Sequence, residues 1–533
     1  MKRETIYDIL VLVLFLISFF IRINVDKIYL NNPGNVKASD PAYHVLVADY
    51  IAESGVIGKS PPYLAQGHTN VVDIVPPLQA IISGSLIHFS GIESWNITYF
   101  VPCLLNSLAL VIIYLMFSRI FRSKEIGIMA MALLVVPFNA RRWWYFLFIG
   151  VWPNISVLTY VVFNIYLMFL FFETKEKIYL YLLGASLSAL YLLHYSEIIL
   201  LLPLLIYLLY CVLRNDSLVQ KIINFAAIGF LPFIMFVLTI TWLIFSREGS
   251  LPSGIQVHIP QYTNFPFAVT VQDIGIVYGL IFFIGFILLL TNYKKYKNLI
   301  FYYFYFYTLT FILPFLVKGE YYLLRLRPFT IYLIAPMAAY ALYYLIVKPL
   351  QKAGIPSQVS AVILGFLFVI AAVPGYKQLQ SGVDYINIPE IRYQAYDWIN
   401  ENTAKEDVVF SFGDDSQNID CFMKRVKYRV YLQPLRNIGL NENESLPLMY
   451  EGYWVQFFWH QGDYLKNIFS VARVTPRAIP NSLLEFDYVY FEHIDQQIAQ
   501  FNVKLAKQLI EDNGFSVVFN NNFAIVLKNE NQQ

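Results

Sequence analysis

The stretch "LALVIIYLMFSRIFRSKEIGIMAMALLVV", residues 108–136, decides the fold class because a short basic loop separates two apolar runs. The first run begins at Ile97 and supplies the ~20 residues that a helix needs to cross a bilayer. The loop between the runs, "SRIFRSK", is rich in arginine and lysine. Short loops of this kind lie on the cytoplasmic side of membrane proteins. The stretch therefore predicts two membrane helices that meet at the cytoplasmic face.

The composition of the whole chain points to the same class. Of its 533 residues, 58% are hydrophobic and 14% are charged, and the mean hydropathy is +0.53. Soluble domains carry roughly 25% charged residues. The net charge of +2 gives no indication of nucleic-acid binding, and Cys103, Cys211 and Cys421 lie too far apart to predict a disulfide framework or a zinc site. The composition thus predicts a polytopic α-helical membrane protein.

Apolar runs of suitable length predict about eleven transmembrane helices. The runs begin at Ile6, Ile97, Ile126, Ile155, Ile178, Ile198, Ile222, Ile274, Leu299, Phe329 and Val359. A further run, Pro76 to Phe89, is shorter and opens with Pro-Pro, so we predict a helix that lies in the membrane interface. No small-residue cleavage site follows the N-terminal run, which is therefore interpreted as a retained first helix.

Basic residues in the short loops predict the orientation of the chain. With Lys2 and Arg3 in the cytoplasm, the basic loops "SRIFRSK", "ETKEK", "LRNDSLVQK", "NYKKYKN" and "VKPLQKAG" all fall on the cytoplasmic side. The two long loops, 24–76 and 246–273, then lie outside. We predict a multi-pass protein of the cell membrane with a cytoplasmic N-terminus.

The chain is predicted to have two domains, a transmembrane domain at 1–381 and a soluble outer α/β domain at 382–533. The second region interleaves polar residues with short apolar runs. "IRYQAYDWINEN" has the apolar spacing of a helix, whereas "DVVFSF", "YVYFEH" and "FSVVF" are typical of strands. "NNN" before "FAIVL" indicates a turn between paired strands. The region has about the 150 residues of an ordinary domain.

Asp40 is the first candidate functional residue. It lies in "SDPAYHVLVADYIAESG", within an outer loop longer than an ordinary connection needs. "AYHVLVADYIAESG" predicts a short amphipathic helix, so Asp40 occupies an N-cap position, and capping alone would account for it. Tyr43 and His44 follow on the same helix, and Arg22 ends the preceding transmembrane helix. This arrangement predicts a carboxylate, an imidazole and a guanidinium at the outer water–lipid boundary.

Arg325 and Arg327, in "KGEYYLLRLRPFTIYLIAP", precede a transmembrane helix on the outer side. Guanidinium groups bind phosphate through two parallel hydrogen bonds and stay charged, so the pair is a candidate site for a lipid phosphate. Two arginines that snorkel toward water would give the same pattern.

Three further residues are candidates for the border of an outer active site. His194 and Glu197 occupy the outer turn in "LLHYSEIILLLP", and Asp273 ends the second long outer loop. A position in a turn near water, or a helix cap at Asp273, would also explain them.

These segments, in this order, resemble the catalytic subunit of oligosaccharyltransferase, above all the single-subunit archaeal and bacterial enzymes with the C-type (GT-C) membrane glycosyltransferase fold. "SDPAYH" is similar to the first acidic motif of the family, which implies that Asp40 contacts the acceptor and binds a metal. "TVQD", ending at Asp273, resembles a T-x-x-E segment. "LRPFTIYLIAP" resembles the segment that holds the donor phosphate, which implies that role for Arg325 or Arg327. "WINENTAKEDVVFSFGDD" resembles the start of the outer domain.

The sequence also departs from the family pattern. Where the family has WWDYG, this chain has "SFGDD", so Asp414 and Asp415 are the candidates for the acceptor side. The second acidic motif is expected near "RRWWYFLFIGVWPNIS", which has no carboxylate. Mg²⁺ and Mn²⁺ prefer several oxygen ligands, so a divalent cation at Asp40 would have few partners.

The resemblance implies an inverting glycosyltransferase that moves a sugar or oligosaccharide from a polyprenyl or dolichyl phosphate or diphosphate to an acceptor. In this interpretation Asp40 is the base and Tyr43 and His44 border the site. The expected partners are a polyprenyl-linked sugar donor, a protein or glycolipid acceptor and membrane lipids, for a monomeric protein without nucleic acid. A transporter or flippase of lipid-linked sugars, or a non-catalytic paralogue that binds them, is the alternative. Transporters keep polar residues near the bilayer midplane, whereas the polar residues here are predicted at one face.

Overall fold

The structure is a computed structural model of the chain. It describes residues 3–24, 39–58, 61, 77–135, 152–194, 217–245, 276–292, 332, 334–360, 362–367, 390–404, 406–412, 426–429, 483–492 and 496–532. In the first part of the chain the helices are α1 (Arg3–Asn24), α2 (Ser39–Ser54), α3 (Leu78–Ser90), α4 (Ser94–Phe121), α5 (Lys124–Val135), α6 (Trp152–Thr174), α7 (Ile178–Leu193), α8 (Leu218–Phe245) and α9 (Ile276–Thr291). Then follow α10 (334–352), which contains a π-helical turn at Tyr343–Val347, and α11 (Ser357–Leu367).

Four of the described helices contain a segment long and apolar enough to cross a membrane. These segments are Thr5–Ile23, Ser94–Phe121, Trp152–Thr174 and Leu218–Leu238. At 1.5 Å per residue the 28 residues of α4 give a helix of about 42 Å, which exceeds the ~30 Å hydrocarbon core. The predicted membrane helices at the start of the chain are therefore confirmed as helices, including the short one after Ile126. Within the predicted run from Pro76 to Phe89, the structure describes a helix from Leu78, which is α3.

Successive helices of this bundle alternate in direction. At one end, which we call the Asp40 end, α1 and α5 finish while α4 and α6 begin. Arg22 bonds Val135 there, and Tyr99 near the start of α4 bonds the Arg22 main-chain oxygen and contacts Trp152 at the start of α6. At the opposite end, Arg119 near the end of α4 bonds Glu173 near the end of α6. The basic loop that follows α4 therefore lies at the end away from Asp40, as the sequence predicts.

The C-terminal part of the chain forms a five-stranded sheet with helices packed on it. Its elements are α12 (Glu390–Asn402), β1 (Val408–Phe412), β2 (Val426–Arg429), β3 (Tyr488–Glu492), α13 (Gln496–Asn513), β4 (Phe515–Asn520) and β5 (Ala524–Asn529). The strand order is β2-β1-β3-β5-β4. β1 is parallel to β2 and β3, whereas β5 is antiparallel to β3 and β4. The strands predicted at β1, β3, β4 and β5, and the turn between the last two, are confirmed.

Both faces of the two central strands are covered, which explains why β1 and β3 are buried along their whole length. On one face Val409, Tyr488 and Tyr490 pack against Ala395, Tyr396 and Ile399 of α12. On β1, Phe410 and Phe412 alternate with these residues, as side chains on a strand do. The Phe412 ring stacks on Phe491 with centroids 4.8 Å apart. The sheet and α12 thus enclose a hydrophobic cluster.

Candidate active site

Helix α2, which begins beside Asp40, is packed among three parts of the molecule. Its Val45 belongs to the core of the membrane bundle. Leu46 belongs to the cluster formed by α12 and the sheet. Val47 and Ile51 pack against Ala80 of α3. Because successive residues of α2 enter three different clusters, the position of this helix is fixed from three sides.

Gly84 of α3 sets how closely α2 and α3 approach. A Cβ atom built at Gly84 would lie 2.7 Å from the main-chain oxygen of Ala48 and 2.9 Å from a methyl group of Ile51. Distances under 3.0 Å between such atoms require that something move. A glycine at this position therefore allows the contact that holds α2.

His44 lies in an aromatic cluster that joins α2 to the beginning of α6. Its ring is 5.9 Å from that of Trp152 and 5.6 Å from that of Tyr43. Trp152 in turn meets Tyr99 of α4 edge to face, with centroids 5.9 Å apart. Trp152 is fully buried and His44 is 8% exposed. Such ring pairs each contribute about 0.5–1.5 kcal/mol beyond the area they bury, so the cluster is a firm attachment for α2.

Asp40 lies in the first turn of α2, one turn before His44. The helix begins at Ser39, so the predicted N-cap position of Asp40 is wrong: its backbone is already helical. Residues four apart lie on the same face of a helix. The positions of Asp40 and His44 therefore share the side of α2 on which His44 meets Trp152.

Polar side chains from α3 and α6 meet one turn of α6 beyond Trp152. The Ser156 hydroxyl donates to Oε1 of Gln79 at 2.8 Å. Ser156 follows Trp152 by four residues, so both lie on one face of α6. Gln79, Trp152 and Ser156 carried no local signal in the sequence that would have assigned them to a site. They are brought to α2 by contacts between helices that are distant along the chain.

Arg22 lies inside the bundle, and the predicted position at the water–lipid boundary is wrong. The side chain is fully buried. Its Nε donates to Oδ1 of Asn106 at 2.7 Å, and Nη1 donates to the main-chain oxygens of Ser18 at 3.0 Å and Val135 at 3.3 Å. The last carbonyl groups of α5 have no partner within their own helix and carry partial negative charge, so a guanidinium stabilises them.

Arg22 nevertheless supports the aromatic cluster through its main chain. The Tyr99 hydroxyl donates to the main-chain oxygen of Arg22 at 2.8 Å, while the Tyr99 ring contacts Trp152. The end of α1 is thus connected to the surroundings of His44 through one tyrosine.

The other predicted site residues fall outside this cluster or outside the described residues. His194 ends α7 in an extended conformation, and its N–H donates to the Leu190 oxygen at 3.0 Å. Six predicted positions lie outside the described residues: Glu197, Asp273, Arg325, Arg327, Asp414 and Asp415. Their assignments stay predictions.

The residues around His44 do not fit a metal centre. In the described ranges no group of three or more His, Cys, Asp or Glu side chains is close enough to hold a metal ion. The side chains that meet here are aromatic rings, an amide and a hydroxyl, from Tyr43, His44, Trp152, Gln79 and Ser156. Mg²⁺ and Mn²⁺ favour carboxylate oxygens.

The fold and this position of α2 define the class as a polytopic membrane protein with a helix of the first long loop built into one end of the bundle. Part of the chain, residues 75–242, matches the family model of dolichyl-phosphate-mannose-protein mannosyltransferases. This is about a third of the sequence and runs from α3 into α8. No curated protein sequence matches the chain significantly.

Solved structures match over most of the chain. The structure of ArnT from Cupriavidus metallidurans bound to undecaprenyl phosphate is 13% identical, with a TM-score of 0.58 over 99% of this chain and 98% of ArnT. The archaeal oligosaccharyltransferase AglB from Archaeoglobus fulgidus, in complex with an inhibitory peptide and a dolichol-phosphate, is 16% identical, with a TM-score of 0.50 over 91% of this chain and 69% of AglB. A complex of the Archaeoglobus enzyme with Zn and sulfate is 15% identical, with a TM-score of 0.50 over 91% of this chain and 68% of that enzyme.

These similarities confirm the predicted resemblance at the level of the fold. The chain shares its architecture with membrane glycosyltransferases along nearly its whole length. At 13–16% identity the likeness shows the fold and leaves the roles of individual residues to the site itself.

Proposed function

We propose that the protein is a membrane glycosyltransferase that transfers a sugar or oligosaccharide from a polyprenyl or dolichyl phosphate or diphosphate to an acceptor. One observation carries the proposal: the helix that starts beside Asp40 is packed between the bundle, α3 and α12, with His44 against the buried Trp152. Fixed geometry of this kind is what a catalytic group requires. ArnT and AglB, which share the fold, were solved with polyprenyl-type phosphates bound.

In this mechanism Asp40 is the general base. It takes the proton from the acceptor hydroxyl or amide as the acceptor atom forms a bond to the anomeric carbon of the sugar. The bond from that carbon to the phosphate oxygen breaks on the opposite face, so the configuration inverts. The phosphate leaves with the electron pair, and Arg325 and Arg327 stabilise the charge that develops on it.

No step is assigned to a metal ion. Resemblance implies Mg²⁺ or Mn²⁺ at Asp40, and a structure with the same fold was solved with Zn and sulfate. The described side chains near α2 do not provide a matching ligand set. Positioning by Trp152, His44 and Tyr99 is therefore the contribution that we assign to this part of the chain.

The acceptor side of the proposal rests on the C-terminal region. We assign 1–381 to the transmembrane domain and 382–533 to an outer α/β domain, with the N-terminus in the cytoplasm of a cell-membrane protein. β1 ends at Phe412, so Asp414 and Asp415 follow the carboxyl end of a central strand and are proposed to face the acceptor. His194, Glu197 and Asp273 are proposed at the border of the site. Protein asparagine is the acceptor that the Archaeoglobus oligosaccharyltransferase suggests, since that enzyme was solved tethered with an acceptor peptide containing the NVT sequon.

The proposal is tested by transfer from a radiolabelled polyprenyl-linked oligosaccharide with purified full-length protein. Wild type is compared with Asp40→Ala and with the control Asp8→Ala. Asp8 lies near the start of α1, at the end of the bundle away from Asp40. A sequon peptide and total host membranes serve as separate acceptors. We expect label in an acceptor with wild type and Asp8→Ala, and its loss with Asp40→Ala.

The acceptor that becomes labelled distinguishes the classes. Label on the peptide identifies an oligosaccharyltransferase, and label only in membranes identifies a transferase to a glycolipid or another membrane acceptor. Wild-type protein that labels neither would overturn the proposal in favour of a transporter or a non-catalytic paralogue.

A further inference from the structure

Helix α3 carries two buried polar side chains whose hydrogen-bonding capacity is not used within the described structure. Gln79 is 1% exposed, and its Oε1 accepts the bond from Ser156, but its Nε2 has no hydrogen-bond partner. Ser83 is fully buried, and its Oγ has no partner either. Nearly all buried polar groups in proteins are paired, so each of these atoms calls for a ligand or an ordered water.

The two side chains lie on the same face of α3 because they are four residues apart. Gln79 shows where that face points, since its amide meets Ser156 of α6. Residues on the α2 side of α3 are different ones, namely Ala80 and Gly84. Gln79 therefore lies on the side of α3 that turns toward α6, and Ser83 follows it by one turn on the same face of α3.

This position is one helical turn from the candidate active site. Ser156 and Trp152 are neighbours on α6, with Cβ atoms about 5–6 Å apart by helix geometry. Trp152 contacts His44, which follows Asp40 by one turn. A ligand that reaches Gln79 from the Asp40 end would therefore pass the rings of Trp152 and His44.

The chemistry of these side chains suits a neutral, hydroxyl-bearing ligand. An amide nitrogen supplies two donors, and a serine hydroxyl both donates and accepts. Ring faces bind the apolar C–H surface of a ligand, while a few placed polar groups fix its orientation. A phosphate would instead call for guanidinium groups. Sugars combine hydroxyl groups with such an apolar face.

We propose that Gln79 and Ser83, together with the indole of Trp152, form the subsite that binds the sugar of the lipid-linked donor. This inference rests on the glycosyltransferase function proposed above and names the residues that recognise the transferred group. The subsite recognises the sugar through neutral hydrogen bonds and ring contact, separately from the site that binds the phosphate.

The experiment measures binding of defined lipids to the purified full-length protein in nanodiscs. The probes are the bare lipids dolichyl phosphate and dolichyl diphosphate and the sugar-bearing lipids dolichyl phosphate mannose, dolichyl phosphate glucose and dolichyl diphosphate chitobiose. Wild type is expected to bind at least one sugar-bearing lipid more tightly than the lipid with the same phosphate group alone, with dolichyl diphosphate as the reference for chitobiose.

Gln79→Met keeps the length of the side chain and removes its hydrogen bonds. We expect it to weaken binding of the preferred sugar-bearing lipid about tenfold, the loss of one or two hydrogen bonds, and to leave the bare lipid phosphates unchanged. Ser83→Ala should weaken the same lipid by about threefold. Ser186→Ala is the matched control, because this residue of α7 is also buried with a hydroxyl that lacks a partner, and it should change neither class of lipid.

The outcomes separate this inference from the function on which it rests. Wild type that binds none of the lipids contradicts the glycosyltransferase proposal itself. Binding that does not depend on the sugar, or a Gln79→Met variant that binds the preferred sugar-bearing lipid as wild type does, overturns the subsite alone. Equal weakening of bare and sugar-bearing lipids by Gln79→Met overturns it as well, since that result means a general disturbance of packing.

Discussion

The two ends of the helical bundle differ in how their polar groups are paired. At the opposite end, the buried carboxylate of Glu125 accepts hydrogen bonds from Tyr7 at 2.6 Å, Ser357 at 2.8 Å and Ser123 at 2.8 Å. These bonds join α1, α5 and the start of α11. At the Asp40 end, Gln79 and Ser83 lie four residues apart on α3 with unused hydrogen-bonding atoms, whereas near Glu125 the isolated hydroxyl of Ser118 is also unused. A saturated network stabilises a fold, whereas unused capacity is what a ligand can bind.

The two ends also differ in their charged side chains. Arg119 and Glu173 form an exposed ion pair at the opposite end, and Lys124 lies 5.8 Å from the ring of Tyr7. At the Asp40 end the guanidinium of Arg22 is instead fully buried and bonds to Asn106 and to main-chain oxygens. We therefore expect substitutions at the Asp40 end to lower activity, with a loss of stability where they disturb packing, and substitutions at the opposite end to leave the activity of the folded protein close to wild type.

The largest effect on stability is expected from Leu46→Ala. It removes the side chain by which α2 joins the core of α12 and the sheet, and truncation of a buried leucine costs about 2–5 kcal/mol. The midpoint of thermal unfolding should fall, and transfer should fall with it because the start of α2 loses one of its three attachments. Leu86→Ala is the control, since this leucine of α3 is 39% exposed. Wild-type transfer by Leu46→Ala would show that the packing of α2 on α12 does not matter to the site.

Gly84→Ala should have a smaller effect of the same kind. The added methyl group meets Ala48 and Ile51 at under 3.0 Å, and overpacking of this type costs about 1–3 kcal/mol. We expect α2 to be displaced and the transfer rate to drop. Gly229→Ala in α8 is the matched control, because a Cβ atom there has nothing within 4 Å. If both variants transfer at the wild-type rate, the close approach of α2 and α3 does not position the site.

The smallest effect is expected from Arg119→Gln at the opposite end. Arg119 and Glu173 are both well exposed, and exposed ion pairs contribute about 0–1 kcal/mol. The unfolding midpoint and the rate of transfer should both remain close to wild type. A large loss of transfer would contradict the assignment of chemistry to the Asp40 end.

Local patterns predicted most of the elements that the structure describes. Apolar runs of membrane-spanning length gave α1, α4 and α6, and short runs rich in Val, Tyr and Phe gave β1, β3 and β4, because these patterns depend only on neighbours in the chain. α13 and β2 were missed. The position of Arg22 was also missed, since a charged residue at the end of an apolar run usually snorkels to the surface, whereas here Asn106 and the end of α5 provide partners inside the bundle.

The candidate site was predicted only in part, because some of its residues come from segments that are distant along the chain. Asp40, Tyr43 and His44 are close together in the sequence, and the length of the outer loop that contains them predicts a functional segment. Gln79 and Trp152 are ordinary residues of apolar segments, and only the packing of α2, α3 and α6 brings them together. Contacts between distant segments have no signature in a single sequence.

In this proposal the chemistry belongs to the Asp40 end of the bundle, and the carboxylate of Glu125 at the opposite end contributes to stability alone. The most direct test compares Asp40→Asn with Glu125→Gln, two substitutions that each neutralise one carboxyl group, by measuring the transfer rate and the midpoint of thermal unfolding of both. We predict that Asp40→Asn lowers the rate by about 10²–10⁴-fold, the usual contribution of a general base, with little change in the midpoint. Glu125→Gln should lower the midpoint, because charged hydrogen bonds contribute about 1.5–3 kcal/mol each. It should leave the transfer rate of the folded protein within about twofold of wild type, because distant sites act independently. Asp40→Asn that transfers as wild type does, or Glu125→Gln that is as stable as wild type but inactive, would contradict the account.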